Sequence, residues 1–171
     1  KIRTMGLDTH KAVVSALGGQ PAVIAWTEVY TALQTGVADG QMNPVPIISF
    51  AKFNEVQKYL TLSGHLFAPY VWVMNKDFYN GLSAAEKSVI ANAVKSGIVS
   101  GRGVSRAIEA SDLGLASLSK DMKVNSLTPE QLTKFRDASM PAVKQIIAEK
   151  HGAEGEAMMK AFLEAIAAAS K

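Results

Sequence analysis

With 171 residues and 48% hydrophobic content, the chain holds enough apolar material for a real core in one or two domains, which excludes a disordered polypeptide. Its formal net charge of +3 comes from 18 basic and 15 acidic residues scattered along the chain, so no basic block proposes nucleic acid or an acidic membrane surface as partner. Zero cysteines exclude a disulfide framework, a thiolate zinc site and a cysteine nucleophile, and leave the compartment open. Ile47-Ile48-Ser49-Phe50 and Val71-Trp72-Val73-Met74 are far shorter than a membrane span requires.

Lys1 to Thr4 alternates polar and apolar residues as a half-buried strand does, with Ile2 facing one way and Arg3 the other. No secretion signal is visible, and a chain that opens on Lys1 in what reads as a strand is expected to be a piece of something longer. Asp8 is a candidate cap for a helix carrying Val13, Val14 and Leu17, closed by Gly18-Gly19. Ala22 to Trp26 reads as a short buried strand, and Thr27 as the cap of a helix with Val29, Tyr30 and Leu33 on one face and Gly36 at its end. Val37 to Gln41 is the next expected strand. Pro44 forces Asn43 into extended backbone and Pro46 discourages further pairing, so Asn43 sits at a strand exit, where ligands collect in open α/β sheets.

Ile48 to Tyr59 carries Phe50, Phe53, Val56 and Tyr59 at three-residue steps and reads as a helix on the sheet. Tyr59 to Leu62 and Phe67 to Asn75 read as extended, the second long and aromatic. The capping box Ser83-Ala84-Ala85-Glu86 opens a helical pattern through Ile90, Val94, Ile98, Val104, Ile108, Leu115, Leu118 and Met122. Unbroken, that pattern extends roughly 50 Å at 1.5 Å per residue, enough for a spine bracing two lobes. Gly97, Gly101, Gly103 and Gly114 are its expected bends or close contacts. Lys123 to Leu127 is a brief strand candidate, and Thr128-Pro129-Glu130-Gln131 caps a helix that kinks near Pro141 and stops at Gly152. A last helix runs from Glu154 to Ser170.

Few residues suggest chemistry. Arg3 is either a strand-edge arginine paired with a surface acid or a guanidinium fork for a carboxylate, whose charge-assisted bonds contribute about 1.5–3 kcal/mol each when shielded from water. Asn43 is either a turn asparagine bonded to its own backbone, common before proline, or an amide donor to the same carboxylate. Gln41 lies on that face if the strand stays regular. Trp26 is either ordinary core or one wall of a pocket. His65 is by default a solvated or satisfied histidine. The chain contains no G-x-S-x-G, no Gly-rich phosphate loop and no H-E-x-x-H, and His10, His65 and His151 are too scattered to imply a metal cluster. Neither an enzyme nor a cofactor is indicated.

The opening Lys1-Ile2-Arg3-Thr4, the segment Thr27-Glu28-Val29-Tyr30-Thr31-Ala32-Leu33-Gln34-Thr35-Gly36 and the run Asp39-Gly40-Gln41-Met42-Asn43-Pro44 resemble the solute receptors of tripartite ATP-independent periplasmic (TRAP) transporters, the DctP-type family. The resemblance is specific over residues 1 to about 80 and looser beyond. It implies that Arg3 clamps the carboxyl group of the solute and that Asn43 contacts it. Trp26 falls where the family carries an aromatic residue flanking the ligand, and His65 where residues often line the cleft. Met42 replaces the acidic residue usual in the Asp-Gly-Gln-acid-Asn-Pro motif, which leaves the asparagine intact and alters its surroundings.

The fold implied is α/β, of the two-lobed periplasmic binding protein type, here only the second lobe with a long bridging helix and C-terminal helices. Residues 1–66 are expected to form the ligand-binding α/β lobe, and residues 67–171 a hinge-crossing strand, the spine helix and C-terminal helices packed on the first lobe. The N-terminal half of such a receptor is absent from this chain. The function implied is periplasmic: binding a small organic acid and delivering it to TRAP membrane subunits, without breaking a bond. Two alternatives are a ligand-sensing module and an enzyme whose catalytic residues lie in the missing half. Taken alone, the chain is expected to expose apolar faces of the long helix and of the Phe67 to Asn75 segment.

Overall fold

Parallel strands joined by short helices require crossover connections, and the first 41 residues supply them in the computed structural model, which describes residues 1–66, 69–111 and 114–169. Strand β1 (Ile2–Thr4) leads into helix α1 (Asp8–Ala16), strand β2 (Pro21–Val23), a 3₁₀ turn at Trp26–Glu28, helix α2 (Val29–Gln34) and strand β3 (Gly40–Gln41). The three strands form a parallel sheet in the order β2-β1-β3, with Arg3 in register with Ala22 on one side and Gln41 on the other. Their C-terminal ends therefore point the same way.

Turn chemistry explains the short helices. Gly18 (φ 81°) and Gly36 (φ 74°) take the left-handed conformation that ends α1 and α2. Gly19 is held to a bare Cα, since a Cβ there would lie 2.9 Å from Cγ1 of Val14. Asp8 is the first residue of α1 and Leu7 is its cap; the Asp8 carboxylate instead pairs with Lys11 (2.5 Å) and with Lys150 (2.9 Å). The strand expected over Ala22 to Trp26 ends at Val23, and Trp26 opens the 3₁₀ turn. The helix expected from Ile48 starts earlier, at two prolines. Pro44 caps helix α3 (Val45–Phe50) and Pro46 occupies its second position, where the missing N–H costs nothing.

The remaining elements are a 3₁₀ turn at Phe53–Glu55, strand β4 (Tyr59–Leu62), and helices α4 (Lys76–Gly81), α5 (Ala84–Ala110) and α6 (Leu115–Asp121). Strand β5 (Lys123–Ser126) forms a two-stranded sheet with β4, and helix α7 (Pro129–Ala169) ends the chain. The expected strand from Phe67 to Asn75 is not formed: residues 69–75 join no ladder and are exposed, and Phe67 and Ala68 lie outside the described residues. The spine pattern is likewise interrupted. Ser83 and Glu86 make the reciprocal capping box that starts α5, whose 27 residues span about 40 Å, and Gly114 then caps the separate helix α6. Thr128 and Gln131 cap α7 in the same reciprocal way. Gly152 breaks α7 with backbone angles (φ 55°, ψ −149°) open only to glycine.

The chain divides into two compact units interleaved along the sequence, whereas the sequence reading draws a single boundary at residue 66. The first comprises residues 1–42, 59–63 and 125–171. Its core gathers Val13 and Val14 of α1, Val29, Ala32 and Leu33 of α2, Ala38 and Leu60, with α7 packed along α1. The second comprises residues 43–58 and 64–124 and buries Ile48, Phe53, Leu118 and Met122, with Asn54 donating to Asp121 (2.8 Å) at its edge. Helix α5 lies wholly within this second unit and buries none of its residues.

Candidate functional site

The C-terminal edge of a parallel sheet is where side chains from successive strands and loops are presented together. Here β1 ends on Arg3-Thr4, β2 on Val23 and β3 on Gln41. Arg3 lies in the central strand and is only 5% exposed. Its Nε donates to the carbonyl of Ile24, just past β2 (3.0 Å), and its Cζ lies 5.9 Å from the centroid of the Trp26 ring. These two contacts fix the plane of the guanidinium.

What Arg3 lacks matters as much. Among the described residues no aspartate or glutamate forms an ion pair with it, although Lys11, Arg136 and Lys150 each find one. Burial pushes its guanidinium below its ordinary value, in the absence of any opposing acid. The surface-acid pairing considered for Arg3 from sequence is therefore not made. A buried cation held by a carbonyl and an aromatic face, with its two Nη groups uncommitted to acceptors among the described residues, can receive an anion.

Gln41 stands beside Arg3 as its register partner and is half-buried. Trp26 presents an exposed ring beside the guanidinium, so it is a wall of this edge and not core. Arg3, Trp26 and Gln41 thus share one unit. Asn43, two residues beyond β3, and His65, next to the left-handed Gly64, belong to the second unit. Both are half-buried.

Sequence reading passed over His10, counting it only among scattered histidines. It lies in the first turn of α1, on the segment leaving β1. Burial, and next the positive charge of Arg3, hold its imidazole below the ordinary value.

Among the described residues no group of three or more His, Cys, Asp or Glu is arranged to hold a metal ion, and no helix is long and apolar enough to cross a membrane. One cavity of about 430 Å³ is bordered by Lys144, Met159 and Leu163 of α7, and another of about 590 Å³ runs along α5.

Residues 1–150 match the family described as "Bacterial extracellular solute-binding protein, family 7", DctP. A C4-dicarboxylate-binding periplasmic protein, DctP, of Rhodobacter capsulatus is 34% identical over 161 residues, covering 94% of this chain and 48% of that protein. A TRAP periplasmic solute binding protein from Ochrobactrum anthropi superposes with a TM-score of 0.83 at 40% identity, over 98% of this chain and 52% of that one. A second, from Polaromonas and bound to D-erythronate, gives 0.78 at 37% identity, over 94% and 52%. The chain spans about half the length of these relatives.

Proposed function

Because this chain belongs to the DctP family of bacterial extracellular solute-binding proteins, a family of periplasmic receptors and not of enzymes, we propose that it supplies the carboxylate-holding part of a receptor for a small organic acid. The observation that carries this reading is Arg3: 5% exposed, fixed by Ile24 and Trp26, and lacking an acidic partner among the described residues. Burying an ion without a counter-charge is costly, and a bound carboxylate removes that cost through two parallel hydrogen bonds. The acids named for the relatives, C4-dicarboxylates and D-erythronate, carry the group such a fork reads.

In this reading the carboxylate sits on the Nη atoms of Arg3 against the Trp26 ring, with Gln41 donating a side-chain amide N–H; Asn43 and His65, in the second unit, are the further residues proposed to contact the solute. Residues 1–42, with their three-stranded parallel sheet, contribute the α/β part that carries Arg3, Trp26 and Gln41. The rest of the solute is read by the half of the receptor that lies beyond this chain's match to its relatives. Closure of the two lobes over the acid presents a surface to TRAP membrane subunits, which take the solute onward. No bond in the solute is made or broken.

A thermal-shift screen of the full-length receptor against C4-dicarboxylates, 2-oxo acids, lactate, sugar acids and aromatic acids tests this directly. One class is expected to stabilise the protein, by about 2.7 kcal/mol at a hundred times its dissociation constant. Arg3→Lys is expected to weaken that acid more than tenfold by calorimetry, because a point charge does not reproduce the fork. Stabilisation by none of these acids, or unchanged affinity in Arg3→Lys, would refute the proposal.

A further inference from the structure

A carboxylate accepts hydrogen bonds and donates none, whereas the amide of Gln41 does both. That mismatch is informative because of where Gln41 stands. It is the ladder partner of Arg3 across β1 and β3, and paired residues of neighbouring strands, about 4.8 Å apart, present their side chains on the same face of the sheet. The ladder partner of Arg3 on its other flank is Ala22 of β2, which offers only a methyl group. One side of the arginine is therefore polar and the other is not. The guanidinium is turned to match. Its Nε donates to the carbonyl of Ile24, immediately after β2 (3.0 Å), and the Trp26 ring, centred 5.9 Å from Cζ, stands in the turn that follows β2. Both holds on Arg3 thus come from the β2 flank. The Nη pair is the edge of the guanidinium that remains for an anion, and the flank opposite Ile24 is that of Gln41.

We propose that the acid held by this site carries a hydroxyl on the carbon next to its carboxyl group, a 2-hydroxy acid, and that Gln41 is the residue that reads it. The inference rests on the carboxylate reading of Arg3. Gln41 donates its amide N–H to a carboxylate oxygen, and its Oε1 accepts from the 2-hydroxyl. Oε1 has two lone pairs, so a bond it makes within the protein does not exhaust it.

A 2-hydroxyl fits on two counts: it lies beside the carboxylate and not farther out along the solute, and it donates. The 2-oxo acid of the same skeleton sets an acceptor against an acceptor there, and the unsubstituted acid offers only C–H. In both, Oε1 gives up water without a replacement. A site that hydrogen-bonds a solute hydroxyl rejects the analogue lacking it far more strongly than an apolar pocket rejects a missing methylene. Handedness follows as well. The carboxylate, the 2-hydroxyl and the rest of the solute are three attachments around one carbon, and exchanging the hydroxyl with the hydrogen turns the hydroxyl toward the apolar flank of Ala22 and Trp26. One enantiomer is therefore favoured.

The experiment is calorimetry on the full-length receptor with probes that differ only at the second carbon: both enantiomers of erythronate against 3,4-dihydroxybutanoate, and both enantiomers of lactate against propionate and pyruvate. In wild type the better-bound enantiomer of each hydroxy acid is expected to bind at least about tenfold tighter than its unsubstituted and oxo counterparts. In Gln41→Leu every probe weakens and that ratio falls to about one, while Arg3→Lys weakens hydroxylated and unsubstituted acids alike. The wild-type comparison needs no variant, so it decides even where Gln41→Leu folds poorly. Absence of a preference for the hydroxy acid in both series, or a preference that persists in Gln41→Leu, would overturn the role of Gln41 while Arg3-dependent binding stands. A receptor stabilised in the thermal-shift screen only by acids without a 2-hydroxyl would do the same. Affinities untouched by Arg3→Lys would instead overturn the carboxylate reading, and this inference with it.

Discussion

Residues 1–42 and residues 69–110 handle their apolar side chains in opposite ways. The first stretch buries Val13, Val14, Val29, Ala32, Leu33 and Ala38 around a three-stranded sheet while Met5, Leu7, Val23 and Val37 stay exposed, and it leaves a cation at the sheet's edge without an acidic partner among the described residues. The second leaves Tyr70, Val71, Trp72, Val73, Met74, Phe78, Val89 and Val99 exposed along its length. One region is finished as a structure and open as a chemical site. The other is regular in its backbone and unfinished in its packing, since an apolar face of this extent marks a surface that something covers. Helix formation needs only local hydrogen bonds and caps, and α5 has both; burial is a separate requirement that it does not meet by itself.

The largest effect that sharpens this contrast is a pair of identical truncations within the second unit. Phe53 is 1% exposed, so Phe53→Ala should cost about 3–5 kcal/mol in chemical denaturation, while Phe78→Ala, on the exposed stretch, should cost under about 0.5 kcal/mol. Comparable losses would mean that residues 69–110 are packed after all.

Next comes Arg3→Met, which removes the unpaired charge and keeps an apolar stem. It should abolish binding of whichever acid stabilises the receptor, yet leave the ligand-free melting temperature unchanged or higher, since a lone buried cation is a cost until an anion arrives. A marked drop in the ligand-free melting temperature would show that the guanidinium serves the fold. The double change Val71→Lys with Val73→Lys should convert self-associated 1–171 chain toward monomer in light scattering; wild-type chain that is already monodisperse and monomeric would break the comparison from that side. Ser83→Ala should cost about 1 kcal/mol of helix stability by circular dichroism, because it removes half of the capping box at the start of α5.

The smallest effect concerns acid. Asp8 is held down to about 2, from an ordinary 3.8, by its bonds to Lys11 and then Lys150. Its folded value lies below its unfolded one, so its contribution is present above the ordinary value and is lost as pH falls toward about 2. Asp8→Asn should flatten that part of the pH–stability curve slightly, the pair being exposed and screened by salt.

Much of this fold was legible where short-range chemistry decides it. The reciprocal caps at Ser83/Glu86 and Thr128/Gln131 and the stops at Gly18, Gly36 and Gly152 are local devices, and each is formed. The errors arise where a residue type permits two local answers. Pro46 takes part in no strand, but the helix expected over Ile48 to Tyr59 begins earlier, at Val45, because proline sits without cost in a first helical turn, and it ends at Phe50. Residues 69–75 have strand-like composition, but a ladder needs a partner edge, which no composition supplies. At the site, Arg3 stands out in the sequence as a charged residue inside a short strand, whereas the place of Trp26 beside it does not, since the ring sits on a 3₁₀ turn where a strand is expected.

The chain's two tryptophans fall one to each unit: Trp26 faces the guanidinium of Arg3, and Trp72 lies against α5 so closely that a Cβ on Gly97 would come within 3.2 Å of its ring. Each unit therefore carries its own intrinsic fluorophore. Emission from Trp26, isolated in a Trp72→Phe background, reports occupancy of the anion site, while emission from Trp72 in a Trp26→Phe background reports whether the exposed stretch has found its cover. The two events become separable in a pair of single-tryptophan variants, without a label.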